Sequence, residues 1–452
     1  MGKYFGTDGI RGKSTEFDNE LVSKITNSVI DYLEKKKDVS EIVLLAGGDT
    51  RKSSESILEI ISLVCAKRNV KCINVEVLPT PAISIISKLY KYDIAFVVTA
   101  SHNPSTDNGI KLINSTGEKI SNEVIAEVEY LMDNASHEHS SGKMDKSSSH
   151  KEAKDFYLSH LVNYIDKDFE GLRIGLDCAN GATSVVAREA FESLKATVVT
   201  INDDSSYGDL INANCGSTHL EASKKLMEEE KLDIVAAFDG DGDRCLLIED
   251  TGSIVDGDHM IGIIAGELKE QNKLNSNTLV TTIMANPGLH QYAKKEGIKV
   301  VITDVGDSNV QTAMAKDNLS IGGEQSGHII LDGEPTGDGI LTAIFIAYIM
   351  KKSGKTLSEL ASVIKKYPQI IHNMHVTKED KELLIHAKVK ELIDKYKQII
   401  ENDNGQINVR PSGTEGLIRI TMWGKDNETI ETLSKNLADE MEQLFKEIKG
   451  VN

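Results

Sequence analysis

Ile234-Val-Ala-Ala-Phe-Asp-Gly-Asp-Gly-Asp-Arg244 is an apolar run of strand length that ends in three carboxylates separated by glycines. Asp239, Asp241 and Asp243 stand at alternate positions and can turn onto one centre, as a hard divalent cation requires. An EF-hand would need Gly at the sixth position and Glu at the twelfth, where this chain has Arg244 and Asp250. A phosphatase of the D-x-D-x-[TV] type would want Thr or Val in place of Asp243. The bland alternative is an acidic hairpin turn between residues 234–238 and 245–248, but no structural need brings together three charges that repel one another.

The same grammar extends in both directions. Upstream, residues 41–46, 72–77 and 94–99 read as strands and 53–67 and 82–89 as helices, and the third strand runs into Thr99-Ala-Ser-His-Asn-Pro104. Before the aspartates come a strand at 172–176, a helix at 184–194 and a strand at 197–201. After them come a strand at 278–283, a helix near 289–295, a strand at 299–302, a further helix and the segment Ile321-Gly-Gly-Glu-Gln-Ser-Gly-His328. Three strand–helix rounds, each closing on a polar motif, are expected to be three related α/β domains with their ligand sites beyond the C-terminal ends of the strands. Residues 137–154 are polar and expected to form a surface connection. After Pro368 the pattern changes to a smaller α+β domain. The expected boundaries are 1–150, 155–256, 257–367 and 368–452.

Bulk properties are those expected of a soluble globular protein. A chain of 452 residues is long enough for about three domains, and four fit. Five cysteines, an odd number without a C-x-x-C pair, favour a reducing compartment, and a cytoplasmic location is expected. No stretch is long and apolar enough to span a bilayer, and position six is Gly6 rather than the Ser or Thr of a myristoylation signal. A formal net charge of -19 argues against nucleic-acid or anionic-membrane partners. It leaves room for a local phosphate site.

The remaining motifs are individually modest. Ser101 follows a strand and precedes His-Asn-Pro, a turn that exposes a hydroxyl, although a plain polar loop reads the same way. The G-x-S-x-G elbow of a hydrolase is absent. Glu324, Ser326 and His328 share a face if their segment is extended, and would suit sugar hydroxyls. Arg410, Ser412, Gly413 and Thr414 offer a cation, hydroxyls and an approachable amide, the parts of a phosphate cradle or of an ordinary Ser-Gly turn.

In this order, these motifs resemble the α-D-phosphohexomutases over nearly the whole chain. Phe5-Gly-Thr-Asp-Gly-Ile-Arg-Gly12, Gly323-Glu-Gln-Ser-Gly-His328 and Thr336-Gly-Asp-Gly-Ile340 are similar to the bacterial phosphoglucosamine mutase branch. The resemblance implies three similar mixed α/β domains and a smaller C-terminal α+β domain around a central cleft. It implies a phosphoserine at Ser101, with Mg²⁺ held by Asp239, Asp241, Asp243 and an oxygen on Ser101. Lys111, His102 and Arg11 would assist proton transfer and charge stabilisation. Arg244, Glu324, Ser326 and His328 would bind substrate, and Arg410, Ser412, Gly413, Thr414 and Arg419 the distal phosphate. The implied partner is a small sugar phosphate, with glucosamine 1,6-bisphosphate as intermediate and activator. The rival readings are a phosphomannomutase or phosphoglucomutase, a Mg²⁺-dependent sugar phosphatase, and a non-catalytic sensor. Two positions depart from the pattern: Ser308 where this branch commonly has Arg, and Gly416 where the family usually has Pro.

Overall fold

The computed structural model describes residues 2–6, 8–134, 150–412 and 416–450. These fall into two compact units, residues 1–280 with 303–362 and residues 281–302 with 363–452.

The first unit opens with β1 (Ile10–Lys13), α1 (Asn19–Glu34), β2 (Val43–Gly48), α2 (Lys52–Lys67), β3 (Lys71–Val77), α3 (Thr80–Tyr90), β4 (Ile94–Val98), β5 (Asp107–Asn114) and α4 (Asn122–Asn134). The sheet order is β1-β5-β4-β2-β3. β2 pairs in parallel with β3 and β4, whereas β5 runs antiparallel to β4 and β1. α1, α2 and α4 bury Val22, Ile25, Val29, Ile57, Ile61 and Val128 against Leu44, Phe96 and Leu112 of the sheet. Stacking apolar helix stripes on a buried sheet is what the alternating pattern of the sequence requires.

Then follow α5 (His150–Asn163), β6 (Arg173–Asp177), α6 (Ala187–Ser193), β7 (Thr197–Ile201), α7 (Glu221–Glu230), β8 (Ile234–Phe238), β9 (Cys245–Glu249) and β10 (Ile254–Val255). Their order, β10-β9-β8-β6-β7, repeats the first sheet: three parallel strands with two antiparallel strands on one side. The connection expected over residues 137–154 ends instead in α5. Its Lys-Glu-Ala-Lys run favours helix, and its residues 137–149 lie outside the described chain.

The third round holds α8 (Gly257–Glu270), β11 (Thr278–Thr282), α9 (Pro287–Lys295), β12 (Lys299–Thr303), α10 (Asp307–Asp317), β13 (Ile321–Gly323), β14 (Ile329–Leu331), α11 (Gly339–Ser353) and α12 (Leu357–Ala361). Val280 of β11 pairs in parallel with Gly322 of β13, and β14 returns antiparallel. α9 belongs to the second unit, where Asn286 exchanges two hydrogen bonds with the backbone of Tyr367, both 2.9 Å.

The rest of the second unit is β15 (Gln369–His375), α13 (Lys378–Glu382), α14 (Ala387–Glu401), β16 (Gln406–Pro411), β17 (Leu417–Trp423) and α15 (Asn427–Lys449). Its antiparallel sheet, ordered β15-β17-β16, shares a core with α14 and α15 through Ile418, Ile420, Met422, Leu437 and Met441.

One buried carboxyl gives this fold a pH dependence. Asp338 caps α11, accepting from the Leu341 N–H at 2.9 Å, and also accepts the Tyr157 hydroxyl of α5 at 2.8 Å. Burial outweighs both hydrogen bonds and pushes its pKa from 3.8 to about 7. The folded carboxyl thus holds its proton more tightly than the unfolded one. Its contribution to stability is complete below about pH 4 and lost as pH rises through about 7. Asp338→Asn keeps the cap and lets the Tyr157 hydroxyl accept instead. Its melting temperature should rise relative to wild type by about 2–4 °C between pH 5 and pH 8. A constant offset would show that the carboxyl is ionised throughout.

Candidate active site

Three loops of the first unit leave the C-terminal ends of β4, β8 and β13, where the sequence placed its polar motifs. Ser101 sits in the first at φ 51°, a left-handed conformation uncommon for a residue with a Cβ. Its backbone is held in place from several sides. The Ser101 N–H donates to Thr99 Oγ1 at 2.8 Å, and that hydroxyl donates to Asp49 Oδ2 at 2.6 Å. The Arg51 guanidinium, fully buried and 3.0 Å from Asp49, donates to the carbonyls of Ser101 (2.9 Å), Asn103 (2.8 Å), Pro104 (2.5 Å) and Asp107 (3.2 Å). Asn212 donates to the Ser101 and Asn103 carbonyls at 2.9 and 3.0 Å. Gly240 passes so close that an added Cβ would lie 2.7 Å from the Ser101 carbonyl oxygen. Glycine is required there for clearance.

The Ser101 hydroxyl donates to Asp239 Oδ2 at 2.8 Å, which joins the first loop to the second. One oxygen from each of Asp239, Asp241 and Asp243 lies within 4.8 Å of the others, and all three residues are buried. Asp241 Oδ1 and Asp243 Oδ1 have no hydrogen-bond partner. Buried carboxylate oxygens left open toward one another are costly unless a cation joins them, so the residues present fit a hard divalent ion. Burial, with Asp243 and Asp241 beside it, pushes Asp239 well above the usual carboxylate range. Burial also works against the charge of Asp243, but Lys111, His328 and Arg244 outweigh it and hold that group well below the usual range.

Lys111, on β5, is buried with its ammonium 2.9 Å from Asp241, 3.5 Å from Asp8 and 3.6 Å from Asp243. These carboxylates overcome burial and raise its pKa. Arg244 donates to His102 Nδ1 at 3.2 Å, and its guanidinium lies 3.7 Å from Asp243. An acceptor at Nδ1 makes His102 a neutral ring with its proton on Nε2. Burial and the nearby Arg244 and Arg11 lower its pKa to about 4. Arg11 pairs with Asp8.

The third loop differs from the extended segment expected. Gly327 N–H donates to the Glu324 carbonyl at 3.0 Å, with Gly327 at φ 90°, so residues 324–327 form a turn. Ser326 is exposed while Glu324 and His328 are buried, so the three do not share a face. His328 accepts the Gly337 N–H at Nε2 (3.2 Å) and turns Nδ1 toward Asp243 at 3.6 Å. It braces an aspartate.

In the second unit, Arg410 and Arg419 are directly opposite across β16 and β17 and therefore share a face. Ser412 is fixed by its N–H to the Leu417 carbonyl at 2.8 Å, and Lys381 donates to its carbonyl at 2.6 Å. Gly413 and Thr414 lie outside the described residues. Sequence reading missed Asp49, Arg51, Asn212 and Asp8. The signal for the first two was present, since Gly-Gly-Asp-Thr-Arg51 also follows a strand end.

A serine hydroxyl on a carboxylate triad, with a buried lysine and arginine beside it, is a site for moving phosphoryl groups. Matches to known proteins define the class. Residues 2–139, 155–252 and 256–367 match the phosphoglucomutase/phosphomannomutase alpha/beta/alpha domains I, II and III. The chain belongs to this family. It is 39% identical to a phosphoglucosamine mutase of Clostridium novyi, over 98% of this chain and 99% of that one. A phosphoglucosamine mutase of Bacillus velezensis is 40% identical, over 97% and 98% of the two chains. Among solved structures, a phosphoglucomutase/phosphomannomutase family protein of Burkholderia thailandensis superimposes with a TM-score of 0.79 at 20% identity, covering 99% of this chain and 98% of that one. The N-acetylphosphoglucosamine mutase of Aspergillus fumigatus, in complex with GlcNAc-6P and magnesium, gives 0.68 at 17% identity, covering 96% and 95%. No helix of the described residues is long and apolar enough to cross a membrane.

Proposed function

We propose that this chain interconverts glucosamine 6-phosphate and glucosamine 1-phosphate through a phosphoserine at Ser101 and a glucosamine 1,6-bisphosphate intermediate. The observation that carries this reading is the 2.8 Å hydrogen bond from Ser101 to Asp239 inside the aspartate triad. It puts a nucleophile where a divalent ion would neutralise a transferring phosphoryl group. Near-full-length identity to bacterial phosphoglucosamine mutases supports the substrate.

Asp239, Asp241, Asp243 and an oxygen on Ser101 would hold Mg²⁺, which when bound supplies charge neutralisation for phosphoryl transfer. The chain's own residues do the rest. Phospho-Ser101 gives its phosphoryl group to the free sugar hydroxyl, breaking the Ser101 O–P bond and forming the sugar O–P bond, while the proton of that hydroxyl ends on the Ser101 oxygen. After the bisphosphate turns over, its other phosphoryl returns to Ser101. Lys111 and Arg244 sit beside the transferring group as fixed cations. His102 offers its Nε2–H to a substrate oxygen. Glu324 and Ser326 take sugar hydroxyls, and Arg410, Ser412, Gly413, Thr414 and Arg419 hold the phosphate that is not being transferred. The four-domain organisation and a cytoplasmic location belong to this same reading.

The test is Mg²⁺-dependent turnover of glucosamine 6-phosphate, glucose 6-phosphate and mannose 6-phosphate, each primed with its 1,6-bisphosphate. The amino sugar is expected to have the highest kcat/KM by at least about tenfold. A neutral hexose in first place would overturn the substrate while leaving the mutase chemistry. Phosphate release at the catalytic rate would overturn both.

A further inference from the structure

A second set of charges in the first unit takes no part in the roles above. Lys119 follows the turn after β5, where it bridges back to Ile113. The turn is tightly built. Asn114 Oδ1 accepts from the N–H groups of Thr116 and Glu118 at 2.9 and 3.0 Å. Gly117, at φ 82°, has room for no side chain, because an added Cβ would lie 2.5 Å from the Ser84 carbonyl and 2.9 Å from Pro335. The Lys119 ammonium thus has a defined place, paired with Asp8 and 2.5 Å from Asp307 Oδ2. Side-chain exposures of 20%, 26% and 22% for Lys119, Asp8 and Asp307 set this trio apart from solvated surface pairs.

Asp307 begins α10, and the turn before it is tied to the sugar loop by Gly306, which at φ 125° donates its N–H to Glu324 Oε1 at 3.0 Å, while Asn309 donates to the Val305 carbonyl within the turn at 3.0 Å. Ser308 brings no charge to this loop. An alternating row, Asp241–Lys111–Asp8–Lys119–Asp307, therefore runs from the aspartate loop to residues 304–309, and Lys119 is its last cation. Beside it a cavity of about 830 Å³ is lined by Lys111, Lys119, Ser308, Gln311 and Thr312. Without Lys119, Asp8 and Asp307 would face each other as half-buried anions and push apart. The loop would carry Gly306 away from Glu324.

We infer that Lys119 is a positioning residue. It fixes residues 304–309 against the first domain, and through Gly306 and Glu324 it sets affinity for the sugar phosphate without taking part in phosphoryl transfer. This rests on Glu324 binding the sugar, as proposed above.

The experiment compares Lys119→Met, Lys119→Arg, Asp307→Asn and the Lys119→Met/Asp307→Asn double variant in the full-length protein. The substrate is whichever primed hexose phosphate the wild type turns over, so a wrong sugar assignment shows in the wild type and not in the comparison. Lys119→Met is expected to raise KM by about 10–30-fold with kcat within about threefold, and Arg to restore most of the loss. The double variant should be no worse than Lys119→Met, because removing the Asp307 charge removes the repulsion. Transfer of a phosphoryl group from the bisphosphate to Ser101, followed by intact mass at saturation, should stay at the wild-type rate. An unchanged KM in folded Lys119→Met overturns the proposal, as does a fall in kcat with KM constant. If Lys119→Met does not fold, Asp307→Asn decides: its KM should rise at least about fivefold, and an unchanged value overturns the proposal.

Discussion

Ser101→Ala is expected to lower interconversion by at least about four orders of magnitude, below what the remaining site can supply by binding alone. The size of the effect follows from the geometry. Among the described residues only the Ser101 hydroxyl is within hydrogen-bond distance of Asp239 as a nucleophile, and the reaction needs a group that holds the phosphoryl while the sugar turns over. The alanine removes that group and little else. The loop stays fixed by Arg51, Asn212 and Thr99, which all act on backbone atoms. Thermal stability should therefore change by no more than about 1–2 kcal/mol, and the aspartates should still bind Mg²⁺ by calorimetry. Near-normal turnover by this variant would remove the phosphoserine from the mechanism.

The second large effect is expected at Arg51, which no motif reading singled out. Arg51→Met leaves the buried Asp49 carboxylate, among the described residues, with the backbone N–H of position 51, Ser54 and Thr99 as donors. It also strips guanidinium donors from four carbonyls between Ser101 and Asp107. Breaking a buried ion pair costs about 3–5 kcal/mol, and the unpaired carbonyls add to that. Asn212 still reaches the carbonyls of Ser101 and Asn103, so the loop loosens without being released. Phosphorylation of Ser101 by the bisphosphate should slow by about 100-fold, the scale expected when a reacting group loses its fixed position. Urea denaturation and single-turnover mass measurements separate the two effects. A destabilised variant with wild-type transfer would mean that Asn212 alone suffices to place Ser101.

The fold was legible because each strand–helix round carries its own signals. The strands at 197–201 and 234–238 have the bounds read from the sequence, since charged or glycine-rich turns delimit them on both sides. The pattern over residues 184–194 predicts one helix, but the chain folds there as a 3-10 turn, Ala182–Val185, followed by α6. Val186, at φ -140° and ψ -30°, interrupts the run, and periodicity alone does not register such a break. β1 begins inside the Phe5–Gly12 motif, where no strand pattern marks it. Its pairing with β5 is a contact between residues about a hundred positions apart, which local pattern cannot report.

At the site, the triad and Ser101 were readable because their chemistry is concentrated in short motifs. The supporting residues were not. Asp8, Lys119 and Asn212 meet their partners only in the folded chain and look like ordinary polar residues in sequence, whereas Asp49 and Arg51 follow a strand end in Gly47-Gly-Asp-Thr-Arg51 and so carried a signal. His328 was placed with the sugar ligands on the assumption of extended backbone, but the turn at Gly327 sends its ring to Asp243.

The most direct test of the central claim is one turnover of protein phosphorylated on Ser101. The phosphoprotein is mixed with one equivalent of glucosamine 6-phosphate in Mg²⁺ and quenched on the millisecond scale, with protein mass and sugar products followed together. The phosphoryl group is expected to leave Ser101, appear in glucosamine 1,6-bisphosphate, and return to Ser101 as glucosamine 1-phosphate is released. Inorganic phosphate in place of the bisphosphate, or turnover with Ser101 never losing its phosphoryl group, would contradict it.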